Sequence, residues 1–270
     1  MKLSIIVPVY NEGANLPVAI QAIDDACRRT GLEYPEVLII DDGSTDGITH
    51  DIEMALPHTY QYVKCIGLEH NLGLGRAYHF GVFQSSGQFV MMVPGDGEIQ
   101  SDGLVTLFRK LRDSTSETDM ILAIPDSQKM RPLKRRLLSW LFVRLVNTIA
   151  GLKVPYYNGP NIIRRTLLCN SRGNILDTYP SPVSGIHHTI TLPPSPLFCA
   201  SYAYMAKIIA RLVRQGATYT VMPFSLRQRS SGKSKALRLR SWVGVSVTLL
   251  GMVWDYRIRR MYPQRRRSRG

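Results

Sequence analysis

Cysteine is scarce in this 270-residue chain: Cys27, Cys65, Cys169 and Cys199 are widely spaced and form no CxxC pair. That spacing argues against a disulfide framework or a thiolate zinc site, and fits free thiols in a reducing compartment. Long hydrophobic runs are also missing. The opening MKLSIIVPVYNE has a short apolar run broken by Pro8, which reads as a strand and not as a secretory signal. Together these features predict a cytoplasmic body. Near the C-terminus, SWVGVSVTLLGMVW spans only residues 241–254, against the ~20 residues that a membrane-crossing helix needs. Acid is the third shortage, and it is local. Residues 131–270 hold two acidic residues, Asp177 and Asp255, against 25 Lys and Arg, while residues 1–130 hold 18 acidic and 9 basic residues. A net charge of +14 placed so unevenly predicts two surfaces with different partners, the basic one meeting phosphates, nucleic acid or an anionic membrane. The basic stretches lack the interleaved aromatics that stack on bases, which disfavours nucleic acid.

What is present is an alternation. Apolar, β-branched runs recur at 3–10, 36–42, 60–68, 88–96 and 119–124, with helical patterns near 15–30, 72–86 and 101–113 between them. Continuous apolar strands alternating with helices predict an α/β fold, a mostly parallel Rossmann-like sheet with helices on both faces. Ligands of such sheets bind at the carboxyl ends of strands. Three of these runs end in acidic or polar clusters: YNE, DDGSTD and GDGE. The second half predicts a helix over 132–152 with Leu137, Leu141, Leu145 and Ile149 on one stripe and Arg136 and Arg144 away from it. An irregular Pro- and Ser-containing loop follows at 177–196, then a helix near 200–215 and a strand in TYTVMPFSL. Trp242 and Trp254, with flanking arginines, suit a helix lying in a membrane interface, and a core or partner-facing helix is the alternative.

Asp96 and Glu98 flank Gly97 directly after an apolar run. Like charges placed this close are either a solvated turn or a cation site. Gly97 allows close backbone approach, and Gln100 adds an amide oxygen. Carboxylates with an amide oxygen are ligands for a hard divalent cation, Mg²⁺ or Mn²⁺, which keeps waters and binds substrate phosphates. Asp41 ends the second run, where its carboxylate can accept hydrogen bonds from a nucleobase or ribose, while Ser44 or Thr45 is expected to start a short helix. NLGLGRAYHFG at 71–81 fails as a dinucleotide fingerprint because Tyr78 stands where the third glycine belongs. Its glycines are expected to permit a tight loop and a helix start near the nucleotide.

In their order, IIVPVYNE, LIIDDGSTD, NLGLGRA and PGDGEIQ resemble the family 2 inverting glycosyltransferases of the GT-A fold. The resemblance implies that Pro8, Tyr10, Glu12, Asp41 and Asp96 line a nucleotide-sugar pocket, GDP- or UDP-linked. It implies that Asp96, Glu98 and Gln100 hold the metal, with Glu98 where the family usually has a second aspartate. The second half is similar to the polyprenyl-phosphate branch of the dolichol-phosphate mannosyltransferase type. Its R-x-x-G-x-S-K marker is matched by Arg229, Gly232, Ser234 and Lys235, and its arginine and serine four apart by Arg135 and Ser139. Four apart on a helix puts both on one face, where they could clasp an acceptor phosphate. The branch's G-S-R sequence is AIPDS here, so Lys129 or Arg131 would supply any further contact.

The charge map bears on the acceptor independently. Transfer to a sugar hydroxyl needs a general base, yet no glutamate follows Glu117. Only Asp177 and Asp255 remain as carboxylates, with His187 and His188 as a less fitting base in a proline-rich loop. A phosphate acceptor is already anionic and needs cations instead. The expected organisation is a nucleotide-sugar half at 1–130, an acceptor half of the same domain at 131–237 with Arg135, Arg229 and Lys235 at the phosphate, and an apolar, Arg-flanked segment with a basic tail at 238–270. Such a protein would sit peripherally on the cytoplasmic face of a membrane. The alternative is transfer to a saccharide or lipid-linked glycan hydroxyl with Asp177 as base.

Overall fold

The structure, a computed structural model, describes residues 2–114, 118–126, 133–169, 201, 203–225 and 239–259, without the side chains at 134–135 and 239–242. Its frame is a seven-stranded sheet in the order β3-β2-β1-β4-β6-β5-β7. The strands are β1 (Leu3–Val9), β2 (Glu36–Asp41), β3 (Val63–Gly67), β4 (Phe89–Met92), β5 (Met120–Pro125), β6 (Ile162–Arg164) and β7 (Tyr219–Phe224). All neighbours are parallel except β6, which runs antiparallel to both β4 and β5. The sequence reading missed β6: three residues are too short a run to register as a strand. The remaining strands fall where expected, with ends trimmed by a few residues.

Period-two alternation splits the core into two layers. Leu3, Ile5, Val7 and Val9 face one layer with Val37, Ile39, Phe89 and Met91. Ile6, Leu38, Ile40, Val90 and Met92 face the other. Both faces are apolar because helices cover both. The first layer is closed by α1 (Leu16–Thr30), α2 (Ile48–Thr59) and α4 (Ser101–Arg112). The second is closed by α3 (Leu74–Gln84), α5 (Leu133–Ala150), the short α6 (Arg165–Leu168), α7 (Tyr204–Arg214) and α8 (Leu239–Val253), which runs into a π-helical turn at Trp254–Ile258. In α1, Leu16, Ala19, Ile20, Ile23 and Cys27 recur at helical spacing and are buried, and left-handed Gly31 ends the helix.

Two expectations need correction. The helix after β2 begins at Ile48, not at Ser44 or Thr45. The capping carboxylate is Asp46, which accepts from the Thr49 amide at 3.1 Å and the Thr49 hydroxyl at 2.8 Å. Pro57 lies inside this helix and cannot donate to the Glu53 carbonyl. The Cys65 thiol donates to that carbonyl instead, at 3.3 Å. The stripe on α5 changes face along its length. Leu137 is 62%, Leu141 54% and Leu145 43% exposed, while Ile149 is buried. A side chain four residues on is displaced by about 40° around a helix, so the three steps from Leu137 to Ile149 carry the line from the outer face to the inner one. Arg144, expected away from the stripe, lies on that outer face with its guanidinium 5.1 Å from the Trp140 ring centre.

Among the described residues, no helix is long and apolar enough to cross a membrane. Cys27, Cys65 and Cys169 are free thiols. Cys199 and the loop 177–196 lie outside the described residues.

Candidate functional site

The strand order reverses direction at β1: chain order runs outward through β2 and β3 on one side and through β4 on the other. A reversal leaves a crevice above the carboxyl ends of the two strands at the switch. Three of the loops singled out in the sequence meet there.

The first follows β1. Pro8 is buried and paired with Ile40, and Tyr10 and Glu12 are half-buried. Asn11 is the one non-glycine among the described residues at positive φ, 51°, a conformation that asparagine tolerates better than most. Its turn is tied to the second loop twice. The Asn11 amide donates to the Ser44 hydroxyl at 2.9 Å, and the Thr45 amide donates to the Asn11 side-chain oxygen at 2.8 Å. Glu12 is held from both ends. Its carbonyl accepts from the Asn15 and Leu16 amides, and Asn15 Nδ2 donates to its carboxylate at 2.9 Å.

The second loop follows β2, where two adjacent aspartates have different tasks. Asp41 is half-buried and accepts from both the amide and the hydroxyl of Ser44, so its carboxylate is oriented at the crevice edge. Asp42 faces the opposite layer, 3% exposed, and accepts from the Leu72 amide at 2.7 Å and the Gly73 amide at 2.9 Å. Burial pushes its carboxyl up to about 6, partly offset by those two hydrogen bonds. Asp42 is an anchor for the loop before α3, and Gly73 at φ 94° makes the turn into that helix, as the glycines of NLGLG led one to expect.

The third loop follows β4. Gly95 lies against the end of β1: a Cβ there would come within 3.0 Å of Val9 and 3.3 Å of the Pro8 carbonyl. Gly97, at φ 68°, turns the chain so that the Glu98 amide donates to Asp96 Oδ1 at 3.1 Å. Asp96, Glu98 and Gln100 are all half-buried, and Ile99 between them is buried. Among the described residues no group of three His, Cys, Asp or Glu side chains could hold a metal alone. Two carboxylates and one amide oxygen are an incomplete set for an octahedral hard cation, which suits an ion that takes its remaining ligands from a diphosphate and water.

The structure therefore places Pro8, Tyr10, Glu12, Asp41, Asp96, Glu98 and Gln100 at or just after the carboxyl ends of the neighbouring strands β1, β2 and β4. Sequence reasoning left out Asn11, Asn15 and Ser44 as positioning groups. The asparagine in YNE was the available signal, since a side-chain amide after a strand commonly bonds neighbouring backbone. Ser139 is half-buried on α5, and the Arg135 side chain is outside the described set. Lys129, Arg131, Asp177, His187, His188, Arg229, Gly232, Ser234 and Lys235 lie outside the described residues.

Known proteins share this fold. Glucosyl-3-phosphoglycerate synthase from Mycobacterium tuberculosis, solved with UDP, superposes with a TM-score of 0.60 at 15% identity, covering 93% of this chain and 80% of that one. The same enzyme solved with Mn²⁺, UDP-glucose and phosphoglyceric acid gives 0.60 at 16%, covering 93% and 79%. A mannosyltransferase from Pyrobaculum calidifontis, solved with GDP-mannose and Mn²⁺, gives 0.58 at 16%, covering 96% of this chain and 64% of that one. At such identity these likenesses establish the fold, GT-A. The family model described as glycosyl transferase family 2 matches residues 4–173, from β1 through α6 and all three loops of the crevice, and the chain belongs to that family.

Proposed function

We propose that this protein transfers a sugar, with inversion, from a nucleotide-diphosphate donor to a polyprenyl phosphate. The observation that carries the acceptor is the charge map: residues 131–270 offer 25 cations and two carboxylates, which suits an anionic nucleophile and supplies little for a general base. Residues 1–130 serve the donor and 131–237 the acceptor, within one domain. Donor binding falls to Pro8, Tyr10, Glu12, Asp41 and Asp96, at the carboxyl ends of β1, β2 and β4. Support for a nucleotide sugar comes from structural neighbours solved with UDP-glucose and GDP-mannose.

Asp96, Glu98 and Gln100 fit Mg²⁺ or Mn²⁺ in ligand type, and the neighbours solved with Mn²⁺ agree. An ion bound there would offset the repulsion of the two carboxylates and neutralise the departing diphosphate. In the step itself, an acceptor phosphate oxygen attacks the anomeric carbon from the face opposite the donor oxygen. The bond from that carbon to the diphosphate breaks, and the nucleoside diphosphate leaves with the electron pair. Arg135, Ser139, Arg229, Ser234 and Lys235 orient the acceptor phosphate and compensate its charge before and after transfer. The Arg-flanked segment 238–270 meets the anionic cytoplasmic face of a membrane.

A second reading, transfer to a hydroxyl with Asp177 as base, is favoured by the neighbours solved with phosphoglyceric acid and named for glucosyl-3-phosphoglycerate. Parallel assays with detergent-dispersed polyprenyl phosphate and the matching polyprenol separate the two. With the phosphate, Arg229→Ala or Lys235→Ala removes a charge-assisted hydrogen bond of about 1.5–3 kcal/mol, and kcat/KM falls roughly ten- to hundredfold. Asp177→Asn then changes little. Efficient transfer to the alcohol, lost in Asp177→Asn, would overturn the phosphate reading.

A further inference from the structure

We propose that α5 is the second half of the membrane-docking surface, so that α5 and α8 together rest on an anionic lipid bilayer. This rests on the reading that the C-terminal segment meets a membrane, and it changes which residues do so. The two helices pack on the same core layer, α5 through Val146, Ile149 and Ala150, and α8 with its π turn through Met252 and Tyr256. Both leave an apolar ridge in solvent. On α5, Leu133, Leu137, Trp140, Leu141 and Leu145 are 77%, 62%, 55%, 54% and 43% exposed. On α8 and its π turn, Val243, Val247, Leu250, Trp254 and Ile258 are each at least half exposed. The first four, spaced four, three and four apart, lie within about 60° of the helix circumference. Scattered exposed leucines are ordinary, but two continuous ridges on packed neighbours are not.

Charge selects the occupant. Neither α5 nor α8 contains an acidic residue, and Asp255 in the π turn is the one carboxylate on this unit. Each ridge carries an exposed tryptophan with an arginine over its ring, Arg144 at 5.1 Å from Trp140 and Arg259 at 5.7 Å from Trp254. A tryptophan with apolar neighbours and arginines beside it suits the level of lipid headgroups, where rings bury and guanidinium groups meet phosphates. A second copy of this chain would instead bring two arginine-bearing, acid-poor faces together. The same α5 carries Arg135 and Ser139, so a helix lying on the bilayer would keep the proposed phosphate clasp next to the lipid that bears the phosphate.

Co-sedimentation of the full chain with phosphatidylcholine vesicles, with and without phosphatidylglycerol, tests this. The protein should bind the anionic vesicles, weakly bind the neutral ones, and be released by high salt. Leu137→Glu with Leu141→Glu, on α5 alone, should lower partitioning at least about tenfold, as should Val247→Glu with Leu250→Glu on α8. The milder Leu137→Ser with Leu141→Ser should fall between. All are exposed positions outside the donor crevice, so nucleotide-sugar binding with Mn²⁺ should match the parent protein. Parent-like binding by the α5 variants, with loss in the α8 variants, would overturn the two-helix surface and leave the α8 reading standing. Failure of the parent protein to bind anionic vesicles would overturn both. A dimer abolished by the same substitutions, without vesicle binding, would mark a protein interface and overturn the lipid assignment. The acceptor assay in detergent reads neither outcome, so the two proposals fail separately.

Discussion

Glu53 is a carboxyl group 7% exposed on α2, and its Oε1 has no hydrogen-bond partner among the described residues. Burial pushes it up to about 8, and the nearby Asp41 and Asp46 carboxylates add to the effect. Unfolded, the same group titrates in the ordinary range near 4.5. Between those values the folded protein holds a proton that the unfolded chain has lost, so this contribution to stability falls as pH rises, by up to about 1.4 kcal/mol per unit. Glu53→Gln keeps the shape without the titration. Thermal unfolding should show the variant gaining on the parent protein steadily from pH 5 to 8, and parallel curves would refute the burial argument. At the crevice, Asp96→Ala should abolish turnover. Glu98→Ala, which removes one proposed ligand of a hard ion, should cost roughly ten- to hundredfold in kcat/KM, and chelator should silence the parent protein. Full activity of either variant in EDTA would remove the metal. Their position after a strand end was legible because carboxylates after apolar runs are conspicuous. The division of labour between Asp41 and Asp42 was not, because it depends on which layer each faces and on where the Leu72 and Gly73 amides lie.

Elements were legible where periodicity decides them, and their orientation was left undecided where two faces of one helix are both apolar. The α5 pattern announced a helix but not its orientation, since Leu137 and Val146 are chemically alike and only the packed sheet assigns one outward and one inward. For α8 the same ambiguity affects how it can be tested. Deleting 238–270 would strip Met252 and Tyr256, both buried, from the second core layer, so such a truncation reports on folding as much as on membranes. The segment before β6 shows what sequence cannot announce. Asn161 is fully buried, donates to the Tyr157 carbonyl at 2.7 Å and accepts from the Ala123 amide at 2.8 Å. Gly159 approaches β5 so closely that a Cβ would sit 2.2 Å from the Ala123 carbonyl oxygen. Gly159→Ala should therefore cost about 1–3 kcal/mol or more, as overpacking does, and denaturant unfolding would measure it. A variant as stable as the parent protein would mean this approach is looser than the geometry requires.

Across the whole molecule, charge is divided along the chain: acid in residues 1–130 and cations in residues 131–270. Residues 1–130, the half we propose for the donor, carry twice as many acidic as basic residues, 18 against 9, so an anionic nucleotide sugar would be held there only through short-range contacts and a cation. The second half, with 25 cations against two carboxylates, acts at longer range on any anionic acceptor or surface. Salt separates the two because it screens exposed charges far more than partly buried ones. From 0.1 M to 1 M the screening length falls from about 10 to about 3 Å. Over that range kcat/KM for polyprenyl phosphate presented in anionic vesicles should fall at least about tenfold, while the Kd of the nucleotide sugar with Mn²⁺ should change by no more than about threefold. Titration calorimetry for the donor and initial rates for the lipid would give both slopes. Donor affinity that collapses with salt while acceptor kinetics hold steady would reverse the assignment of the two halves.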